Sequence, residues 1–303
     1  MTLISRTGFI PKRLAVMQPA RPTSVKDITL VVPVLNNARG VHRLLAALRN
    51  MHDKCELPAE ILIVDNGSTD RYELFDPALP VRLLHCARRG PANARNLGAI
   101  AARTPWIAFM DSDCIPLRQT FAGYLTTRPG AVAYAGMVEP LARDAISLYY
   151  HHQEILVPPE VAYGSDNGRP DYLVTANCLV WREAFNQVRG FDGTISIAGG
   201  EDIDLGFRLR SVGQLDYAHG SVCLHDFDAD LGDFMQRFER YGLGNRMVAN
   251  RFGLDLSPVP FEPIVDSAIN HHLAHLQYRA MLKGYLTGQP LPVHAFGNRH
   301  GGI

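Results

Sequence analysis

The sequence predicts an α/β protein with a mostly parallel central sheet flanked by helices and a helical C-terminal extension. Three observations carry this. Short apolar runs alternate with segments of helical period, which is the pattern of strand–helix–strand units. Clusters of Asn, Asp and Gly follow the runs. Beyond residue 230 the pattern is helical, with no further strand-like run.

The first run, Ile28–Leu35, is continuously apolar and reads as a strand buried on both faces. Asn36-Asn37 ends it. Val41, Leu44, Leu45 and Leu48 follow at helical spacing. Glu60–Asp65 is the second strand, closed by Asn66-Gly67-Ser68, and Val81–His85 is the third. Pro91 opens a small-residue helix through Ala101, since proline suits the first helical position. Trp106–Met110 is the fourth strand and runs into Asp111.

In the second half, Val132–Val138 and Leu173–Val180 read as strands and Ala145–Leu156 as a helix. Asp202–Val212 is helical, and Ser221–His225 is a short strand. A helix from Asp230 to about Arg251 is weakened by Gly242 and Gly244. Prolines 258, 260 and 263 precede a terminal helix, Val265–Leu286. This gives three regions: a basic arm at 1–26, a main domain at 27–252 whose first half ends near 114, and an extension at 253–303.

Composition narrows the function. The 303 residues are 47% hydrophobic and 20% charged, ordinary for a soluble globular protein. The net charge of +0 argues against bulk nucleic-acid binding. No apolar run reaches the length of a bilayer span. Five scattered cysteines without a CxxC pair suit reduced thiols, hence a cytoplasmic protein. The first 26 residues carry five basic residues and no acid, which leaves open a peripheral contact at the inner membrane face. The plainer reading is a poorly ordered terminus.

Ligands of parallel sheets sit beyond the carboxyl ends of the strands. Here those ends carry Asn36-Asn37, Asp65-Asn66 and Asp111-Ser112-Asp113. If the backbone stays extended, Asp111 and Asp113 point the same way and can hold Mg²⁺ or Mn²⁺ through oxygen. A helix cap or Asx turn before Pro116 is the competing reading. Asp65 suits hydrogen bonds from a base or ribose. Arg88, Arg89 and Arg95 place positive charge at a helix N-terminus, where anions are favoured. His225 ends a strand beside Asp226 and Asp228 and is a potential metal ligand. His271 and His275 share a helix face but lack the H-E-x-x-H arrangement and read as surface residues. In Gly199-Gly200-Glu201-Asp202-Ile203-Asp204 a glycine pair leads into three carboxylates at a helix start, where one acid can face a reacting hydroxyl.

Taken in order, Val31–Asn36, Val64–Asp70, Gly90–Gly98, Phe109–Asp113, Ala176-Asn177, Gly190–Asp192 and Gly199–Leu205 resemble a family 2 glycosyltransferase of the Rossmann-like GT-A fold. Phe238–Gly242 resembles a downstream basic-aromatic segment of some members. The resemblance runs from about Ile28 to Gly244. It implies transfer of a single sugar from a nucleotide-sugar donor, with a UDP-sugar ranked first, to an unidentified hydroxyl with inversion. It implies Mn²⁺ or Mg²⁺ on the diphosphate, held by Asp113 and His225. Pro33, Asn36, Asp65, Arg95, Asp111 and Ser112 would bind the donor nucleotide. Glu201-Asp202 would be catalytic, with Asp202 the general base. Asn177, Gly200 and Asp204 would face acceptor or sugar. The Gln-x-x-Arg-Trp motif of processive synthases is absent, which favours single-sugar addition. Two other readings stand beside this: an inactive sugar-nucleotide-binding or scaffold protein, and a nucleotidyltransferase, which the low glycine density of Asn36–Arg39 disfavours.

Overall fold

The computed structural model describes residues 16–52, 56–70, 72, 78–159, 168–227 and 230–287. Arg6, Lys12, Arg13 and Asp228 lie outside them.

The elements follow the order β1 (Ile28–Val34), α1 (Ala38–His52), β2 (Glu60–Asp65), β3 (Val81–His85), α2 (Pro91–Ala101), β4 (Trp106–Met110), β5 (Cys114–Pro116) and α3 (Thr120–Gly123). Next come β6 (Ala131–Pro140), α4 (Ala145–His152), β7 (Asn177–Trp181), α5 (Arg182–Gln187), α6 (Glu201–Leu209), β8 (Gln214–His225), α7 (Leu231–Phe252) and α8 (Ala268–Thr287). One eight-stranded sheet has the order β3-β2-β1-β4-β7-β6-β8-β5.

Pairing β3-β2-β1-β4 is parallel throughout. β7 runs against both β4 and β6. β8 pairs parallel with β6, and short β5 antiparallel with β8. Two reversals restore the direction, so β8 points the same way as β4. The carboxyl ends of β1, β2, β3, β4 and β8 therefore share one rim. The sheet separates two apolar layers. One contains Ile28, Leu30, Val32 and Ile63 with Val41, Leu44 and Leu48 of α1. The other contains Val31, Leu62 and Val64 with Ala92 and Ala94 of α2.

Several boundaries differ from the sequence reading. Residues 173–176 form no strand; β7 begins at Asn177. β8 starts seven residues before Ser221, and β5 was hidden because three residues give no period. Gly242 and Gly244 leave α7 unbroken. They are there for close approach: a Cβ on Gly242 would stand 1.9 Å from Met281 O of α8. The C-terminal helix shares a core with the main domain, through Leu273, Ala274 and Met281 of α8, Phe234 and Phe238 of α7, and Tyr149 and Tyr150 of α4. At the other end, Met17 N–H donates to Val212 O (2.7 Å) and Arg21 Nη1 to Thr127 O (2.9 Å), so residues from Val16 onward lie on the domain. Among the described residues no helix is long and apolar enough to cross a membrane.

Candidate active site

Three loops are stitched together along the rim. Asp65, at the end of β2, accepts the Ser68 amide (3.0 Å). Ser68 Oγ in turn accepts the Asn36 amide (3.0 Å), and Asn36 Oδ1 accepts the Thr69 amide (2.7 Å). Asn36 sits at φ +51°, a conformation asparagine tolerates better than most residues. Asn37 Nδ2 donates to Ser112 Oγ (3.0 Å), tying the first loop to the one after β4. Asp70 accepts the Ala38 amide (2.7 Å) and places negative charge at the N-terminus of α1.

Beside Asp65 lies a cleft of about 580 Å³, lined by His42, Asp65, Ser68, Asp70, Tyr72, Leu83 and His85. Burial tends to raise the Asp65 pKa, but hydrogen bonds from Ser68, His85 and Tyr72 outweigh it and hold the group below its ordinary value. Asp65 is thus an anion on the wall of this cleft. Burial and that anion push the Tyr72 phenol up to about 12. Tyr72, His85 and His42 are additions to the sequence reading. His85 could have been found from its place at a strand's carboxyl end, but nothing marks the other two. Pro33 is half-buried on β1, opposite Val64.

The Asp111–Asp113 segment is a turn, closed by Cys114 N–H to Asp111 O (3.1 Å), and is not extended. The two carboxylates consequently do not act as a matched pair. Asp111 accepts Arg95 Nη2 (2.6 Å), while Asp113 Oδ1 stands 3.4 Å from His225 Nε2. Ser112 spends its hydroxyl on Asn37.

Asp113, Cys114 and His225 each offer a ligand atom within 4.8 Å of the others. His225 is buried and stacks on Phe227 (4.4 Å). Asp113 Oδ1 and His225 Nδ1 are buried without a hydrogen-bond partner among the described residues. The orphaned carboxylate oxygen, which faces Nε2, fits a bound cation, whereas Nδ1 lies on the other side of the ring. Burial and neighbouring Cys223 push the Cys114 thiol well above its ordinary value, which leaves a weak neutral donor. Carboxylate and imidazole would therefore be the stronger donors to a cation placed here, a set better matched to Mn²⁺ than to Mg²⁺.

Arg95 is a brace. Its side chain is only 4% exposed, with Nη1 on Glu201 Oε1 (2.9 Å), Nη2 on Asp111, and the guanidinium 5.6 Å from the centre of Phe191. Burial alone would lower its pKa, but the two carboxylates raise it above the ordinary value. Both ends are occupied, so Arg95 does not reach toward a diphosphate as the sequence suggested. Asn93 and Asn96 of the same helix clasp Gly193 O (3.1 Å) and Phe191 O (2.9 Å). Replacing Arg95 with methionine is expected to cost about 3–5 kcal/mol in denaturant unfolding, the scale for leaving a buried charge uncompensated.

Glu201 is buried too, its second oxygen accepting the Gly199 amide (2.7 Å). Both of its oxygens are engaged inside the fold. Asp204 is fully buried and clamped by Arg208 Nε (2.9 Å) and Arg251 Nη1 (2.9 Å), so it does not face acceptor. Asn177 also turns inward. It accepts Tyr124 Oη (2.7 Å) and donates to Met137 O and Ser221 O (3.0 Å each). Asn177→Ala should therefore destabilise by about 1–3 kcal/mol, with nucleotide binding unchanged in calorimetry. Arg88 is exposed, and Arg89 donates to Asn66 O (3.1 Å), fastening a turn.

Asp202 is different from its neighbours. It is partly exposed, has no cation partner among the described residues, and accepts the Ile203 amide (2.9 Å). Burial first, then the charge of Glu201, push its pKa up to about 7, against the opposing pull of Arg95. A carboxylate with that pKa in the first turn of a helix is suited to taking a proton near neutral pH.

The site thus joins the cleft beside Asp65, the Asp113–His225 pair and, among the described residues, a carboxylate without a cation partner along one rim of an α/β sheet, an arrangement compatible with group transfer. The family profile of glycosyl transferase family 2 matches residues 29–189, and the chain belongs to that family. It is 31% identical over 242 residues to a pre-mycofactocin glycosyltransferase of Mycobacterium tuberculosis, covering 74% of this chain and 48% of that protein. The chain spans about half the length of the curated relatives it matches. Among solved structures, a mannosyltransferase of Pyrobaculum calidifontis in complex with GDP-Man and Mn²⁺ aligns with TM-score 0.52 and 18% identity, covering 91% of this chain and 77% of that one. TarS 1–349 of S. aureus in complex with UDP-GlcNAc aligns with TM-score 0.51 and 16% identity, covering 73% and 65%. The fold is GT-A.

Proposed function

We propose that the chain transfers one hexosyl group from a nucleotide-sugar donor to a hydroxyl acceptor, with inversion. One observation carries this reading. Of four acids gathered at Arg95 and the start of α6, three are bound to arginine, while Asp202 has no cation partner among the described residues and its pKa is raised toward neutrality. Asp202 takes the proton of the attacking hydroxyl. Attack from the face opposite the departing diphosphate inverts the anomeric centre.

Asp65 and the cleft beside it would receive the nucleobase and ribose, which an anion on the cleft wall suits. Asp113 and His225 would hold a divalent ion, which would offset charge on the leaving diphosphate. Arg95 serves as the positioning residue that holds Asp111 and Glu201 together. A UDP-sugar ranks first as donor, as the resemblance implies, with GDP-sugars next. A cytoplasmic location, peripheral at the inner membrane face, suits the basic residues before Ile28.

The test is nucleoside diphosphate release from UDP-, GDP- and dTDP-sugars with and without Mn²⁺, across a panel of hydroxyl acceptors. Metal-dependent release from one donor class is expected. Tight nucleotide binding with no release from any donor would favour a binding protein. Pyrophosphate release from a triphosphate would favour nucleotidyl transfer.

A further inference from the structure

The glycine pair before Glu201 is tightly packed. Gly200 caps α6 at φ +90° without any side-chain cap. A Cβ on Gly200 would stand 2.9 Å from Gly244 Cα of α7. Reciprocally, a Cβ on Gly244 would stand 2.3 Å from Gly199 O and 2.8 Å from Gly200 N. A Cβ on Gly199 would stand 2.9 Å from Arg240 O, also of α7. Two backbones touch here, and only glycine on both sides permits it.

The same helix grips α6 a second time. Arg251, two turns beyond Gly244 on the same face, pairs with Asp204 (2.9 Å) and with Asp192. Asp204 is two residues past Asp202. On its far face α7 is held by α8, where a Cβ on Gly284 would stand 1.9 Å from Glu239 O.

We propose that α7 is the positioning element for the Asp202 carboxylate, with Gly244 seating the loop before it and Arg251 fixing the turn after it. This rests on the reading of Asp202 as base. Because Asp202 has no side-chain partner among the described residues, its place is set by the backbone of residues 199–204, and α7 packs directly against that backbone. Positioning errors of about 1 Å at reacting groups cost on the order of 10²-fold in rate.

The experiment compares Gly244→Ala with Gly253→Ala by amide hydrogen exchange and by nucleoside diphosphate release. Gly253 ends α7 at φ +65° with open space around it, so its alanine variant carries backbone strain without touching α6. In Gly244→Ala, peptides spanning 199–205 should exchange at least tenfold faster, and kcat should fall about 10²-fold with the donor KM within about twofold of wild type. In Gly253→Ala, protection of 199–205 and kcat should match wild type. Equal protection of 199–205 in the two variants would overturn the proposal. So would increased exchange in Gly244→Ala with unchanged kcat. Asp202→Asn is run alongside: full turnover there would sink the base assignment, while the exchange data would still decide whether α7 seats the loop.

Discussion

Asp202→Asn is expected to lower turnover by about 10²–10⁴-fold while nucleotide binding stays at the wild-type level, because the side chain touches neither Asp65 nor the Asp113–His225 pair. Wild-type kcat should rise with pH through an acid limb near 7, the value to which burial and Glu201 push the carboxylate. The same shift has a cost in stability. An ordinary aspartate titrates near 3.8, so between that pH and about 7 the folded chain retains a proton that the unfolded chain has released. Stability therefore falls as pH rises across this window. The asparagine variant escapes the penalty. It should melt above wild type at pH 8, and the gap should narrow as pH drops toward 4. Melting curves at several pH values, read beside kcat, test both halves. A variant that is inactive but not stabilised at pH 8 would mean that Asp202 is not held at a raised pKa.

Asp113→Ala carries the second large effect. It removes the carboxylate that faces His225 and leaves an imidazole alone to hold the cation. Metal-dependent nucleotide affinity should drop by more than about 10–100-fold, the scale on which even the outer partners of metal ligands act. Calorimetric titration of UDP and GDP, with and without Mn²⁺, gives the readout. In wild type, Mn²⁺ should tighten binding; in the variant, the curves with and without metal should coincide. Unfolding should change little, since Asp113 is a third exposed and takes part in no buried hydrogen bond.

Most of the sheet could be read directly because its strands are buried on both faces. Runs such as Ile61–Val64 and Trp106–Met110 have no helical alternative at that length. Asp65 and His225 could be located because each ends a strand, and Asp111 and Asp113 because they follow β4 directly, so strand direction sends all four to one rim. Their individual duties were less legible. Asp204 has the spacing of a site residue, yet Arg251, forty-seven positions later, claims it. Asn177 lies at the rim end of β7 and still turns inward, because Tyr124 and Ser221 meet its amide there. Arg95 looked free to meet an anion until Glu201 arrived from more than a hundred residues away. These are tertiary pairings between residues distant in sequence, and no local period encodes them. The glycines of α7 were misread for the same reason. Propensity counts their cost to an isolated helix, whereas the fold uses the missing Cβ to bring α6 and α8 close.

The central claim is that nucleotide, cation and base meet along one rim. A structure with UDP or GDP and Mn²⁺ tests it most directly. The base should lie in the cleft beside Asp65 and Tyr72, the metal should contact Asp113 and His225, and Asp202 should stand open beyond the diphosphate. A nucleotide bound elsewhere, such as the cleft lined by Arg128, Asp216 and His219, would contradict the account.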